Sequence, residues 1–293
     1  MIKRVNFSMN QEQIKQALAF YQIKDENYAK KCLKSLEELE KNPKLLEKVL
    51  AIRERMLKDD EYLKSLWNIE DLEEILKESS IPFLTNIILL SAYPILKENR
   101  RHFSHKQIKI AKRRIRESLL NDIIKRGYER IRISQMLWGI YFTKERIIEI
   151  GRLQYEISFK NPLTNEVEEG IKIHIPRGKT LEIKEVKKSL NKAPQKIKKY
   201  FHLKKPKYYC CSWLLSQEVL NELNENSNIF KFSQLFEIKK GSECTSDILN
   251  FVFELKECQN TNELPETTSL QKKLKQHLLA GKNIYLGIGL LKK

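Results

Sequence analysis

The sequence predicts an α+β protein, with an all-helical N-terminal domain over residues 1–147 and a domain of mixed strands and helices over residues 148–293. Two patterns predict this division. In the first half, apolar residues recur every three or four positions, which is the spacing of one helix face. In the second half, several short runs alternate between apolar and polar residues, which is the period of a half-buried strand.

The first half contains six predicted helices, and three polar residues stand where helix N-termini are expected. Asn10, Asn42 and Ser104 are residue types whose side chains cap helices. One apolar stretch contains polar residues and is too short to span a membrane, so it fits a buried helix. The predicted helices cover residues 10–20, 28–40, 43–56, 59–78, 81–93 and 104–127.

The last of these helices is strongly basic. Residues 97–132 contain 13 Lys and Arg against 4 Asp and Glu, and the formal net charge of the chain is +17. A cluster at Arg113, Arg114 and Arg116 could bind phosphate or nucleic acid. The alternative is an amphipathic helix with a solvated basic face. Its apolar residues form an ordinary core stripe: Ile108, Ile115, Leu119 and Ile123.

The clearest strand pattern in the second half is a β-hairpin with arms at residues 151–157 and 171–176. Its apolar side chains share one face: Leu153, Tyr155, Ile157, Phe159, Ile171, Ile173 and Ile175. The opposite face presents an amide, a carboxylate and an imidazole from Gln154, Glu156 and His174. These three could form a site, or this face could be a solvated one. A one-residue slip in register would separate them.

The remaining elements of the second half alternate between helices and strands. Ser216 could cap a short helix, and Gly281 could end a later one. Helices are predicted over residues 180–201, 217–223 and 268–280, and strands over residues 208–215, 229–238, 248–255 and 285–291. This order indicates an α+β or α/β domain.

The cysteines and the N-terminus exclude other classes of protein. The five cysteines have no CxxC spacing, so we expect reduced thiols and no zinc site. Residues 1–7 lack the apolar core of a signal peptide, and no apolar run reaches the length of a membrane span. We therefore expect a soluble cytoplasmic protein.

The second half resembles a bacterial family of acyltransferases that have a helical N-terminal domain followed by a GNAT-like C-terminal domain. GNAT is the fold of acetyl-CoA-dependent N-acyltransferases. The matching stretches follow in order through the second half: Gly151-Arg-Leu-Gln-Tyr-Glu156, His174-Ile-Pro176, Ser212-Trp-Leu-Leu215, Ser227-Asn-Ile229 with Phe232 and Phe236, and Thr268-Ser-Leu-Gln271 with Gly281, Gly287 and Gly289. The resemblance implies a GNAT-like mixed β-sheet flanked by helices.

The resemblance also implies a reaction and a set of residues. It implies transfer of an acetyl or other short acyl group from acetyl-CoA, or another acyl-CoA, to an unidentified amine, without a metal. Glu156 and His174 are the candidate bases. Gln154 and Asn228 are candidate substrate contacts, although Asn228 could also be a helix cap. The strand with Cys210, Cys211, Ser212 and Trp213 would hydrogen-bond the pantetheine of the cofactor.

Two departures from the family keep other functions open. The pyrophosphate loop of GNAT enzymes, Gln/Arg-x-x-Gly-x-Gly/Ala ahead of a helix, is absent after the strand that ends at Leu215. Cys211 stands where the family often has histidine, so it could be an acyl-accepting nucleophile or an inert buried thiol. Trp213 could be only a core residue. The alternatives are a non-catalytic GNAT-like binding protein and a nucleic-acid-binding protein that uses the basic helix. The amine acceptor and the oligomeric state stay open.

Overall fold

A computed structural model describes residues 9–59, 62, 70–98, 103–121, 123, 129–178, 180–255, 258 and 260–292. The chain divides into two compact units, residues 1–148 and 149–293. Helices occupy the first unit and a six-stranded mixed sheet with helices occupies the second, so the α+β prediction is confirmed. The N-terminal residues 1–8, and parts of the helices predicted over 59–78 and 104–127, lie outside the described residues.

Eight helices are described in the first unit. They are α1 (Gln11–Tyr21), α2 (Glu26–Glu40), α3 (Pro43–Lys58), α4 (Glu70–Glu78), α5 (Leu84–Ser91), α6 (Tyr93–Glu98), α7 (His105–Leu120) and α8 (Ile133–Thr143). The predicted caps are confirmed, because Asn10, Asn42 and Ser104 each accept a hydrogen bond from a backbone N–H three residues on. The sequence reading assigned no element to α8.

Helix α5 is the centre of the first unit, and all eight of its residues are buried. Helices α1, α2 and α8 pack around it. Its polar side chains find partners inside the core, as buried polar groups must. Asn86 Nδ2 donates to the Tyr28 hydroxyl over 2.8 Å, and Thr85 Oγ1 donates to the Ile131 carbonyl over 2.8 Å. The prediction of a buried helix here is confirmed.

The second unit is built on six strands. They are β1 (Ile147–Ile150), β2 (Leu153–Lys160), β3 (Val167–His174), β4 (Lys207–Ser212), β5 (Phe236–Glu243) and β6 (Tyr285–Leu291), in the sheet order β1-β2-β3-β4-β6-β5. Strands β3 and β4 are parallel, whereas β2–β3, β4–β6 and β5–β6 are antiparallel. The sheet is therefore mixed, with its parallel pair in the middle.

Helices join these strands and cover the sheet. They are α9 (Ile183–Phe201), a 3₁₀ turn at Trp213–Leu215, α10 (Gln217–Leu220), α11 (Asn228–Ser233), α12 (Thr245–Phe251), a 3₁₀ turn at Thr261–Glu263 and α13 (Ser269–Leu279). Helix α9 packs on β2, where the Tyr155 hydroxyl and Ser189 Oγ are 2.9 Å apart. Pro194 lies inside α9 without ending it. Thr268 and Gln271 form a capping box at the start of α13.

Three predictions for the second unit are corrected. The strand predicted over 248–255 is instead the helix α12, whose Ile248 joins a buried cluster with Leu274 and Ile284. The strand predicted over 229–238 is helix α11 followed by β5. The strand predicted over 208–215 ends at Ser212, because the chain turns there into the 3₁₀ turn. Short apolar runs do not distinguish a strand from a buried helix by periodicity alone.

No helix within the described ranges is both long and apolar enough to cross a membrane.

Candidate functional site

The predicted hairpin forms with a register that brings its polar side chains together. Gln154 pairs with His174, and Glu156 pairs with Lys172. Side chains at these positions share one face of the sheet. Glu156 Oε2 lies 2.7 Å from His174 Nε2, which is a hydrogen bond between two residues 18 apart in sequence. The structure therefore places the two candidate bases in direct contact.

The polar face of the hairpin is buried, so the alternative of a solvated face is wrong. Gln154 is 2% exposed, and Glu156 and Ser158 are also buried. Gln154 Nε2 donates to Glu149 Oε2 over 2.9 Å, so β1 contributes a second buried carboxylate to this face. The His174 side chain is 28% exposed against 9% for Glu156. Of the two, the imidazole is the more accessible from outside.

The two central parallel strands separate at one end. Their pairing consists of three pairs, Gly170–Lys207, Ile171–Tyr208 and Lys172–Tyr209. Beyond the last pair, β3 continues to His174 on β2, and β4 continues to Ser212 on β6. Since successive residues of a strand direct their backbone groups to alternate edges, at least one residue of Cys210–Ser212 faces this opening with its N–H and C=O. The opening is thus bounded by His174 on one side and by β4 on the other.

The thiols on β4 have pKa values above the ordinary value for cysteine. Burial raises the pKa of the Cys210 thiol, and the neighbouring Cys211 raises it further. Burial also raises the pKa of Cys211; the Lys172 ammonium opposes that rise and the Glu156 carboxylate adds to it. A raised pKa reduces the thiolate that an acyl-accepting cysteine needs. The raised pKa of Cys211 therefore favours the inert thiol over the nucleophile.

The Trp213–Leu215 turn after β4 packs on β6 at two glycines, Gly287 and Gly289, which have no side chains. A Cβ at Gly287 would lie 2.1 Å from the Leu215 carbonyl oxygen, and one at Gly289 would lie 2.8 Å from Leu215 Cδ1. These two glycines therefore let the Trp213–Leu215 turn approach β6 and do not form a phosphate loop. Trp213 packs against the buried cluster that contains Ile248 and Leu274. The α10 helix has only four residues, and Glu218 in its first turn accepts from the Ser216 hydroxyl.

Residues 147–291 match the family model described as GNAT-like C-terminal domain. This part of the chain belongs to that family. The resemblance that the sequence motifs carry is confirmed. A comparison with curated proteins finds no match.

Solved acyltransferase structures have the same fold over nearly the whole chain. An acyltransferase mutant in complex with octanoyl-CoA aligns with a TM-score of 0.75 at 18% identity, covering 97% of this chain and 88% of that one. An acyltransferase in complex with decanoyl-CoA and teicoplanin aligns with a TM-score of 0.73 at 17% identity, covering 97% and 89%. Another, in complex with decanoyl-CoA, aligns with a TM-score of 0.63 at 20% identity, covering 97% and 99%.

The segment after β3 in the GNAT-like domain is held by an arginine that the sequence reading did not single out as a site residue. Arg152 Nε donates to the Thr180 carbonyl over 2.9 Å, and its Nη1 donates to the Pro176 carbonyl over 2.9 Å. The same segment reaches α12, where Arg177 Nη2 donates to the Asn250 carbonyl over 3.2 Å. Arg152 therefore positions the backbone that directly follows His174. In the sequence, the only indication of this role is the position of Arg152 between Gly151 and the first strand of the hairpin.

The other candidate residues of the GNAT-like domain lie apart from the hairpin pair or are already engaged. Asn228 is exposed at the first position of α11, and the cap of that helix is Ser227, which accepts from the Phe230 N–H over 3.1 Å. Gln154 is buried against Glu149. Roles for Gln154 and Asn228 in substrate binding stay predictions.

The described part of the chain contains no group of three or more His, Cys, Asp or Glu that could hold a metal ion. All five cysteines are free thiols, three of them buried.

Proposed function

We propose that this chain is an acyl-CoA-dependent N-acyltransferase, with a helical domain of residues 1–147 and a catalytic GNAT-like domain of residues 148–293. The observation that carries the proposal is the hydrogen-bonded pair of Glu156 on β2 and His174, which lies at the end of β3 that diverges from β4. A proton acceptor beside an opening with unpaired backbone groups is the arrangement that acyl transfer to an amine requires. Glu156 and His174 are the residues to which we assign the proton chemistry.

The reaction joins the amine to the acyl carbon and releases free CoA. The acceptor ammonium first loses a proton to the Glu156–His174 pair, which leaves a nucleophilic nitrogen. That nitrogen attacks the thioester carbonyl, the C–N bond forms, and the C–S bond breaks. The CoA thiolate takes up a proton and leaves as the thiol. The net products are an amide, CoA and one proton.

His174 is the proposed proton acceptor, and Glu156 orients it. When the neutral imidazole donates its Nε2–H to Glu156, its lone pair lies on Nδ1. The carboxylate then stabilises the imidazolium that forms when Nδ1 takes the proton, as the acidic member does in hydrolase triads. The lower exposure of Glu156 supports this order, because the imidazole is the group that a substrate can reach.

The co-substrate is an acyl-CoA, held by the strand Cys210–Ser212 and the turn at Trp213. The backbone N–H and C=O groups of β4 beyond Tyr209, which no longer pair with β3, would pair with the amides of pantetheine. The structural neighbours were crystallised with octanoyl-CoA and decanoyl-CoA, which makes chains longer than acetyl candidates for this protein too. The acceptor is a small-molecule or peptide amine; two neighbours carry teicoplanin or 10C-teicoplanin.

A non-catalytic GNAT-like binding protein is the second candidate function, and one observation favours it. The turn that follows β4 is packed against Gly287 and leads into a four-residue helix with Glu218 in its first turn. A carboxylate at that position disfavours a pyrophosphate. This protein would bind an acyl-CoA or another ligand in the opening without transferring the acyl group.

Two measurements test the proposal. Calorimetry would measure the binding of CoA and of acetyl-, octanoyl- and decanoyl-CoA, and a thiol-release assay would follow turnover with a panel of amines. We expect Glu156→Gln and His174→Gln to bind acyl-CoA within about twofold of the native protein and to lose about 10²–10⁴-fold in kcat. Glu169→Gln removes the same charge from an exposed position of β3 and serves as the control.

The outcomes separate the two candidate functions. Binding with turnover that depends on Glu156 and His174 supports the acyltransferase. Binding with no turnover for any amine moves the weight to the non-catalytic protein. Absence of binding to every acyl-CoA overturns the acyltransferase, and equal activity in Glu156→Gln and Glu169→Gln overturns the assigned role of the pair.

A further inference from the structure

The basic helix α7 lines a groove-shaped cavity, called the groove below, that the proposed acyl transfer does not use. The cavity has a volume of about 780 Å³ and lies between α7 and the end of α1, within the first unit. Its size falls within the range of roughly 300–1,000 Å³ that is typical of small-molecule sites. Its lining consists of Tyr21 and Gln22 at the end of α1 and of eight residues of α7 between His105 and Arg116.

The charge of this lining is of one sign. Five of its residues are lysine or arginine and one is histidine, and no Asp or Glu is among the described residues that line it. Nearby, Arg113 Nε lies 3.8 Å from the Glu117 carboxylate, and the same carboxylate accepts from Arg114 Nη1 over 2.7 Å. The described residues that line the groove therefore carry a net positive charge.

The positions of these positive charges on α7 destabilise the helix. Its first turn contains His105 and Lys106 and no acidic residue, although the N-terminus of a helix favours negative charge. Like charges three or four residues apart also destabilise a helix. Five such pairs line the groove: Lys106–Lys109, Lys109–Lys112, Lys109–Arg113, Lys112–Arg116 and Arg113–Arg116. A bound anion would relieve both effects.

The five Lys and Arg residues of the groove form a basic row along α7, and the length of this row indicates how large the anion is. Lys106 and Arg116 are ten residues apart, which is about 15 Å along the helix axis. One phosphate contacts two or three neighbouring cations, so several phosphates are needed to reach the whole row. The apolar side chains of Ile108 and Tyr21 form the floor, which is buried. A concave site of this size fits a small molecule better than it fits the outer surface of a duplex.

We propose that the groove of α7 binds a small anionic ligand with two or more adjacent phosphate groups. Lys109, Lys112 and Arg116 hold the phosphates, and the Lys112 ammonium is already fixed over the Phe20 ring at 4.2 Å. Arg116 Nη1 lies 3.4 Å from Gln22 Oε1, at the rim. The source of the phosphates is either an inorganic polyphosphate or a nucleotide, and the chemistry of recognition is common to both.

The test is a titration of the full chain with tripolyphosphate and with ADP, at about 150 mM salt. The groove variant is Lys109→Gln/Arg116→Gln, which removes two positive charges from solvent-accessible positions. The matched control is Lys192→Gln/Lys198→Gln, which removes two charges from exposed positions of α9. We expect Kd to rise about tenfold or more in the groove variant and by less than about twofold in the control.

Thermal melting supplies a second readout that does not depend on heat of binding. A ligand that binds only the folded protein raises its melting temperature. We expect tripolyphosphate to do so for the native chain and for the control, and to have a much smaller effect on the groove variant. The Glu156→Gln variant should bind tripolyphosphate as the native protein does, which separates this proposal from the acyl-transfer proposal.

Three results would overturn the inference. Equal weakening in the groove variant and in the control would mean that net charge alone attracts phosphate. No binding of tripolyphosphate or ADP would remove the site. Binding of a short DNA duplex that tripolyphosphate does not displace, with an affinity that falls steeply with salt, would assign the row to a nucleic-acid backbone instead.

Discussion

Replacement of Gly287 by alanine tests how the turn after β4 is held. The added Cβ would lie 2.1 Å from the Leu215 carbonyl oxygen and 2.3 Å from the carbonyl carbon. Atoms at this separation overlap, and the obstacle is backbone, so it is not removed by rotation of a side chain. Either β6 or the Trp213–Leu215 turn must move by about 1 Å, and such overpacking costs about 1–3 kcal/mol. We expect the upper end of that range.

The effect is measurable by scanning calorimetry of the full chain. A loss of about 3 kcal/mol lowers the melting temperature of a unit of this size by roughly 6–12 °C. Gly241→Ala is the control, because its Cβ would meet Ile288 side-chain atoms and the Leu286 carbonyl at 3.1 Å, contacts that small shifts relieve. We expect a loss below about 1 kcal/mol there. Equal melting temperatures for the two variants would refute the account of Gly287 as a packing residue.

Three further predictions concern single side chains. Arg152→Lys keeps the charge but loses the planar fork that reaches two carbonyls, so we expect a loss of about 1.5–3 kcal/mol in urea unfolding and faster amide exchange in the segment after β3. Burial raises the pKa of Glu145 to about 8 from 4.5. The free energy of unfolding should therefore fall as the pH rises from 4.5 to 8, on the order of a few kcal/mol, because the folded state disfavours the ionised carboxylate. Urea unfolding of Glu145→Gln should show most of this pH dependence removed. The pKa of Cys211 should fall in Glu156→Gln and rise in Lys172→Met, measured as the pH dependence of its alkylation by mass spectrometry; no change in either variant would contradict the electrostatic contacts.

The hairpin could be predicted from sequence because its constraints are local. Alternation with period two assigned Tyr155 and Ile173 to the core face and placed Glu156 and His174 together on the other. The burial of that second face could not be predicted. Alternation reports polarity, and Gln154 and Glu156 are polar residues that remain buried because their hydrogen bonds are made inside the protein.

The incorrect and missing helix predictions share a different cause: these segments adopt structures that depend on tertiary contacts. The run Ile248–Phe253 is apolar at nearly every position, so its pattern suits a strand or a buried helix. The buried cluster that Ile248 and Phe253 enter with Leu264 decides between the two. Helix α8 was missed for the same reason, since its residues are apolar on nearly all sides and leave no stripe. The groove beside α7 also depends on the packing of α1 against α7, which no local pattern gives.

The central seam of the sheet divides it into two sets of three strands. Strands β1, β2 and β3 form one set and strands β4, β6 and β5 form the other, and each satisfies its own hydrogen bonds through neighbouring strands. Only the three residue pairs of the seam join the sets within the sheet. Outside the sheet, the sets are connected by α9, which packs on β2, and by α11, which packs on α9 and on β5. A ligand seated in the opening would add a further link between the two sets, at the end of the seam where β3 and β4 no longer pair.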